Sequence, residues 1–265
     1  MPALGGKTSA FGLRPFRPWL ALVPGAALAG APAGCLAEGP PTVSSRGFAT
    51  ETAAVPPIDP PLDGVFEDSF ERSVLGPDWL ALSPAWRIED GRLCASGARN
   101  RGVWLRRTLP RDARIEVTAI AGSESGDLKI ELWGDGRSGA SGSTYDDATS
   151  YLAIFGGWRN GRHVLARLDE HGEDRTELAV EAAAEDPRRR PVTAQQPYRF
   201  RFERRDGRTL RWEVDGVLMF ELPDDEPLEG AGHDHVAFND WDAPVCFDDL
   251  RIEPLTALRD AAPRD

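Results

Sequence analysis

The sequence predicts an all-β fold, a two-sheet antiparallel β-sandwich, and three observations predict it. Turn-forming dipeptides punctuate the chain at Asp90-Gly91, Asp135-Gly136, Asn160-Gly161, Asp206-Gly207 and Asp215-Gly216. Such pairs accept the positive φ that tight hairpins demand. Between them lie about a dozen short runs rich in branched and aromatic residues, many alternating polar and apolar side chains as half-buried strands do. Helical spacing is confined to one short segment, 176–186 (TELAVEAAAED). That many short strands pack best as two stacked sheets. No fixed-period repeat is present, which argues against a propeller or solenoid.

The elements follow in order. FEDSFERSVLGPDW opens the domain at 66–79, and AWRIED and RLCAS form a hairpin on Asp90-Gly91. GVWLRRTL and ARIEVTAI come next, then DLKIELWG, where alternation puts Lys129, Glu131 and Trp133 on one face. SYLAIFG and RHVLARLD form the central hairpin; residues 151–172 hold two His, three Arg, an Asp, a Glu and a Trp, the densest cluster of chemically able side chains. Asn160-Gly161 is predicted as its type I′ turn. Alternation places His163, Leu165, Arg167 and Asp169 on one face and sends Val164, Ala166 and Leu168 to the core. YRFRFERR, TLRWEVD and VLMFEL form a meander on two Asp-Gly turns. HVAFNDW, with His235, Asn239 and Trp241 sharing a face, and VCFDDLRI close the domain.

Composition bounds the rest. The chain has 265 residues, 41% hydrophobic and 28% charged, which suits a soluble globular domain. A net charge of −12, with no basic stretch interleaved with aromatics, argues against nucleic acid as a partner. Residues 1–34 carry Lys7, Arg14 and Arg17 and no acid; the apolar stretch 19–36 is broken by Pro24, Gly25, Gly30, Pro32 and Gly34. These features describe an export signal rather than a spanning helix. Its end, Ala33-Gly34-Cys35, resembles the bacterial lipoprotein cleavage box, departing from it at Pro32. That implies lipidation at Cys35, a membrane partner through the lipid, and, with Leu36 next in line, sorting to the outer membrane. Ala27-Leu28-Ala29 offers an ordinary signal-peptidase site instead. Residues 35–64, rich in Pro, Ala, Ser and Thr, are expected to be a tether, 65–256 one domain, and 257–265 a tail. Export favours a disulfide between Cys94 and Cys246, the alternative being two separate half-buried thiols.

The opening FEDSFERSVLGPDW, the hairpin WRIEDGRL, the segment RFRFERRDGRTLRWEVDGVLMFEL and the closing HVAFNDWDAPVCFDDLRIEPL resemble the concanavalin A-like lectin/glucanase superfamily over 65–256. The resemblance implies a jelly roll with first and last strands side by side, and it admits glycan-binding modules, glycoside hydrolases and lyases alike. Its laminarinase-type enzymes carry Glu-x-Asp-x-x-Glu on one strand; here Glu131 matches, but Trp133 and Gly136 replace the two further acids. Other catalytic candidates are Glu131 with Asp169 as a carboxyl pair, or His163, Arg167, Tyr151 and Lys129 for a lyase, against a plain ion pair of Arg167 with Glu131 or Asp169. No resident metal is expected. Zinc on His233 and His235 with His163 or His171 is a weak alternative, and calcium on Asp248 and Asp249, or Asp146 and Asp147, is the one cofactor the resemblance admits.

The expected function is therefore carbohydrate binding by an exported, lipid-anchored envelope protein. The groove is expected to comprise Glu131 and Trp133, then His163, Arg167 and Asp169, then Asn239 and Trp241. A glycan-cleaving enzyme is the alternative. A structural module without a sugar site is the third reading, which would show that face filled by apolar residues or covered by loops.

Overall fold

Alternating branched and aromatic residues favour pleated strands with one packed face. The computed structural model, which describes residues 59–142, 144–171 and 175–255, contains fifteen strands. They are β1 (Phe66–Asp68), β2 (Trp79–Ala81), β3 (Arg87–Glu89), β4 (Arg92–Ala95), β5 (Val103–Leu105), β6 (Ala113–Ala121), β7 (Leu128–Gly134) and β8 (Tyr151–Gly156). After these come β9 (Arg162–Arg167), β10 (Thr176–Glu181), β11 (Pro197–Arg204), β12 (Thr209–Val214), β13 (Val217–Pro223), β14 (His235–Asn239) and β15 (Val245–Pro254). Sheet I has the order β13-β12-β11-β6-β15-β4-β3, with β1 also paired to β15; sheet II has the order β10-β9-β8-β7-β14-β5-β2. Strand pairing within both sheets is antiparallel, and Phe66 stands opposite Ile252, so the first and last strands are neighbours. The protein is a two-sheet antiparallel β-sandwich of the jelly-roll kind.

The core lies between the sheets. Ile115, Val117, Phe200, Phe202 and Trp212 project from sheet I, and Ile130, Leu132, Phe155, Leu165 and Phe238 from sheet II. Phe238 and Phe247 stack across the interface at 4.3 Å. Each such ring contributes roughly 1.5–3 kcal/mol by leaving water. Cys94 and Cys246 stand opposite one another on β4 and β15 and are bridged, with Cα atoms 4.1 Å apart.

Two local expectations give way to tertiary context. The helix-like segment 176–186 begins instead as β10, the edge strand of sheet II, because pairing to β9 satisfies its backbone and tucks Leu178 and Val180 against the core. The hairpin tip is not a type I′ turn at Asn160-Gly161. Gly161 has φ −90°, while Trp158, Arg159 and Asn160 all take left-handed φ of 51°, 60° and 62°. They form one left-handed turn, Gly157–Asn160, closed by the Gly161 N–H donating to the Gly157 carbonyl at 2.9 Å.

Residues 59–62 are fastened along the end of β5: Leu62 N–H donates to the Thr108 carbonyl and Thr108 N–H to the Pro60 carbonyl, each at 3.0 Å. Asp59 also reaches Arg106 and His235. The expected export signal, Cys35, most of the expected tether and the expected tail 257–265 lie outside the described residues.

Candidate functional site

The period of two puts Lys129 and Glu131 on the outward face of sheet II, since Ile130 and Leu132 point into the core. Their cross-strand partners Ile154 and Leu152 share that outward face, with Val164 and Ala166 one strand further on. This face is not open. Residues from the β7–β8 connection cover it: Tyr145, Ala140 and Ala148 form a second apolar cluster with Leu152, Ile154, Val164 and Ala166. Glu131 is fully buried beneath that cover and accepts hydrogen bonds from Tyr145 Oη (2.8 Å), Ser150 Oγ (2.7 Å) and Asn239 Nδ2 (2.5 Å). Burial raises its carboxyl to about 7 against the pull of these donors.

Lys129, also fully buried, donates to Asn100 Oδ1 (2.7 Å) and Glu170 Oε1 (2.9 Å), and Asn100 Nδ2 closes the triangle on Glu170 Oε2 at 2.9 Å. Burial opposes the ammonium charge, but Asp127 and Glu170 together hold it above its ordinary value. Glu170 is lowered, because Lys129 outweighs its burial, whereas burial leaves Asp127 raised. Asp240, buried behind them, caps the Ala98 N–H at 2.8 Å and is raised by burial to about 6.

Part of this network reaches a cleft of about 510 Å³, at the end of sheet II where the β6–β7, β8–β9 and β14–β15 connections meet. Asn100, Asp127 and Glu170 line its base, and Trp158, Arg159 and Trp241 its walls. Trp158 is 41% exposed. The Arg162 and Arg175 guanidinium groups sit over its ring at 4.6 and 5.7 Å, and Arg99 sits over Trp241 at 4.8 Å. Such cation–π contacts hold the indoles in place. Trp241 N–H donates to Asp127 Oδ2 at 3.3 Å, so one wall is tied to the floor.

Of the residues expected in one groove, the structure brings Glu131 and Asn239 into contact and places Trp241 at the cleft. The others go elsewhere. A β-bulge opposite His235 puts Trp133 at φ 51° and turns its indole to the core side, where Arg204 lies over the ring at 3.9 Å. His163 and Arg167 face inward with Leu165: His163 stacks on Phe155 at 4.3 Å, and Arg167 pairs with Asp224 at 2.8 Å, on the side of the sheet away from Glu131. Gly156 N–H donates to His163 Nδ1, and burial lowers the imidazole. Tyr151 Oη likewise donates to Asp224. Val164 and Ala166 therefore pack in the outer cluster rather than the main core, and Leu168 packs partly buried against the latter. Asp169, at φ 36°, belongs to the turn after β9 and does not line the cleft.

Face assignment inverted because β9 is buried on both sides, so composition carries no sign. Sequence reasoning missed Asn100, Asp127, Arg159 and Glu170, which meet only when connections from distant parts of the chain converge. A Trp in a glycine-flanked hairpin tip was the one local signal available. Among the described residues, no group of three His, Cys, Asp or Glu is placed to hold a metal ion.

No protein-family model matches the chain, and no curated protein does. The chain is similar to several solved structures at low identity. An endo-β-1,3-glucanase from Pyrococcus furiosus has a TM-score of 0.48 and 12% identity, covering 73% of this chain and 95% of its own. The carbohydrate-binding module CBM66 from Bacillus subtilis has a TM-score of 0.44 and 13% identity, over 66% and 95%. The Caenorhabditis elegans galectin LEC-6 has a TM-score of 0.38 and 11% identity, over 66% and 96%. Nothing about the chemistry of the cleft follows from likenesses at this level.

Proposed function

We propose that the protein binds a carbohydrate in the cleft between Trp158 and Trp241. The observation that carries this reading is the pairing of two arginine-braced indoles with a base of amide and carboxylate oxygens. A sugar ring offers an apolar face to an indole and hydroxyl groups to such acceptors. β7 separates β8 from β14, so the two walls stand about 10 Å apart by strand spacing. The covered face over Glu131 takes no part.

Calorimetric titration with a panel of oligosaccharides tests the assignment. Trp158→Ala and Trp241→Ala should each weaken the best ligand by roughly ten-fold or more, with little change in melting temperature. Unchanged affinity in both variants would refute the cleft.

A glycan-cleaving enzyme is the second reading, favoured by the opposite displacement of Asp127 and Glu170 in one cleft, an arrangement that separates acid from base. Burial and Lys129 already account for both displacements, so binding alone is the simpler assignment. Release of reducing ends from the bound glycan would overturn it.

The envelope setting is part of the proposal: export, acylation at Cys35 and display from the outer membrane. The Cys94–Cys246 bridge supports it, since disulfides persist in oxidising compartments. Mass spectrometry of the mature N-terminus is the check; a chain starting at Gly30 with unmodified Cys35 would remove the lipid anchor.

A further inference from the structure

The charged side chains that line the cleft are not equally satisfied. Glu170 is held by Lys129 at 2.9 Å and Asp242 by Arg99 at 2.8 Å. Asp127 takes the Trp241 N–H and lies in the field of Lys129. Arg159 also lines the cleft, exposed, and has no hydrogen-bond or ion-pair partner among the described residues. Its neighbours add to the imbalance. Arg162 and Arg175 flank Trp158 and share a single carboxylate, Glu177. Among the described residues this wall carries three guanidinium groups, Arg159, Arg162 and Arg175, against the one carboxylate of Glu177.

The backbone presents this charge in a set position. Arg159 sits at φ 60° in the left-handed turn, a conformation unfavourable to a non-glycine residue that persists only where surroundings enforce it. Asn160 enforces it. Its Nδ2 donates to the Val192 carbonyl at 2.7 Å and to the Glu124 carbonyl at 3.0 Å, while its Oδ1 accepts from Val192 N–H at 2.8 Å. The strained turn thus brings both Trp158 and Arg159 to the lining of the cleft.

We propose that the ligand of this cleft is an anionic glycan, whose carboxylate or sulfate is taken by Arg159 while its ring packs on Trp158. This rests on the carbohydrate reading above and names the class of sugar. A guanidinium fork matches planar carboxylate and sulfate oxygens, and charge-assisted hydrogen bonds of this kind are stronger than neutral ones. Of the carboxylates lining the cleft, Glu170 is answered by Lys129 and Asp242 by Arg99, while Asp127 lies in the field of Lys129.

The test is calorimetric titration of the intact protein with oligogalacturonate, a sulfated dextran oligosaccharide, and neutral laminari- and cello-oligosaccharides. At least one anionic probe should bind more tightly than both neutral ones, and whether it is the uronate or the sulfate names the group. Arg159→Gln should weaken that probe roughly ten- to hundred-fold, the range expected for hydrogen bonds to a charged group. Added salt should weaken wild-type binding more than variant binding. Arg159→Gly separates recognition from folding: glycine accepts φ 60° without strain, so its melting temperature should not fall while the same affinity is lost. Neutral probes binding as tightly as anionic ones, or both Arg159 variants keeping wild-type affinity, overturn this proposal and leave the glycan cleft standing. No binding by any of the four probes overturns the carbohydrate reading and this inference with it.

Discussion

The outward faces of the two sheets carry charge on the same period but in opposite surroundings. On sheet I one row runs Glu253, Arg114, Glu203, Arg211, Glu221 across β15, β6, β11, β12 and β13. The next runs Glu67, Arg251, Glu116, Arg201, Glu213 across β1, β15, β6, β11 and β12. Sign alternates at every step, and the face is partly solvated throughout, with ion pairs such as Arg114–Glu203 at 2.9 Å and Arg201–Glu203 at 2.8 Å. On sheet II the corresponding face carries Lys129, Glu131 and Asn239, all fully buried, Glu131 beneath Tyr145 and Ser150. Water screens the first array, and exposed pairs contribute about 0–1 kcal/mol each. Nothing screens the second, where each charge depends on a specific partner. Ion pairs alone therefore say little about stability; burial decides which of them matter.

Removing a buried partner should have the largest effect. Lys129→Met leaves Glu170 and Asp127 without their cation and should cost about 3–5 kcal/mol, lowering the melting temperature by roughly 10 °C or more. Thermal unfolding followed by circular dichroism measures this. A loss no greater than that of a sheet I variant would break the contrast between the faces.

Glu131 sharpens it through pH. The folded state keeps its proton up to about pH 7, whereas the unfolded chain releases it near 4.5. Between those values the folded state binds more protons, so this contribution is full below 4.5 and lost as pH rises through 7. Its size is on the order of 3 kcal/mol. Asp240, raised to about 6, acts in the same direction. Glu131→Gln should flatten the decline in melting temperature between pH 5 and 8; an unaltered profile would show that the carboxyl titrates normally.

The smallest effect belongs to sheet I. Glu203 is held low, to about 2, by Arg205, Arg201 and Arg114 against its partial burial. Even so, Glu203→Gln should cost about 1 kcal/mol or less, and less still in 1 M salt. A salt-independent loss several times larger would mean that the lattice behaves as a buried network.

The strand pattern, the meander turns and the all-β class were legible in the sequence because period-two alternation and Asp-Gly turns are local properties. The facing of Cys94 and Cys246 was only half legible: alternation set the face of each, and strand pairing made them neighbours. The candidate site was mostly illegible. Glu131, Asn239 and Trp241 stood out correctly as outward polar or aromatic positions, yet the cover over Glu131 came from residues 135–150, whose composition looks like any loop. His163 and Arg167 went to the inner face because both faces of β9 are buried, and alternation alone has no sign.

The sequence by itself thus determined most of the strands, β10 excepted, and which of their side chains alternate, since these depend on neighbours within a few residues. Tertiary structure alone decided which face looks inward, where Trp133 turns at its bulge, and that Asn100, Asp127, Arg159, Glu170 and Trp241 share one cleft. Those outcomes depend on pairing partners and covering loops far apart in the chain, and no local pattern encodes the free energy of burying a charge beside a partner seventy residues away, as Asn100 and Glu170 are.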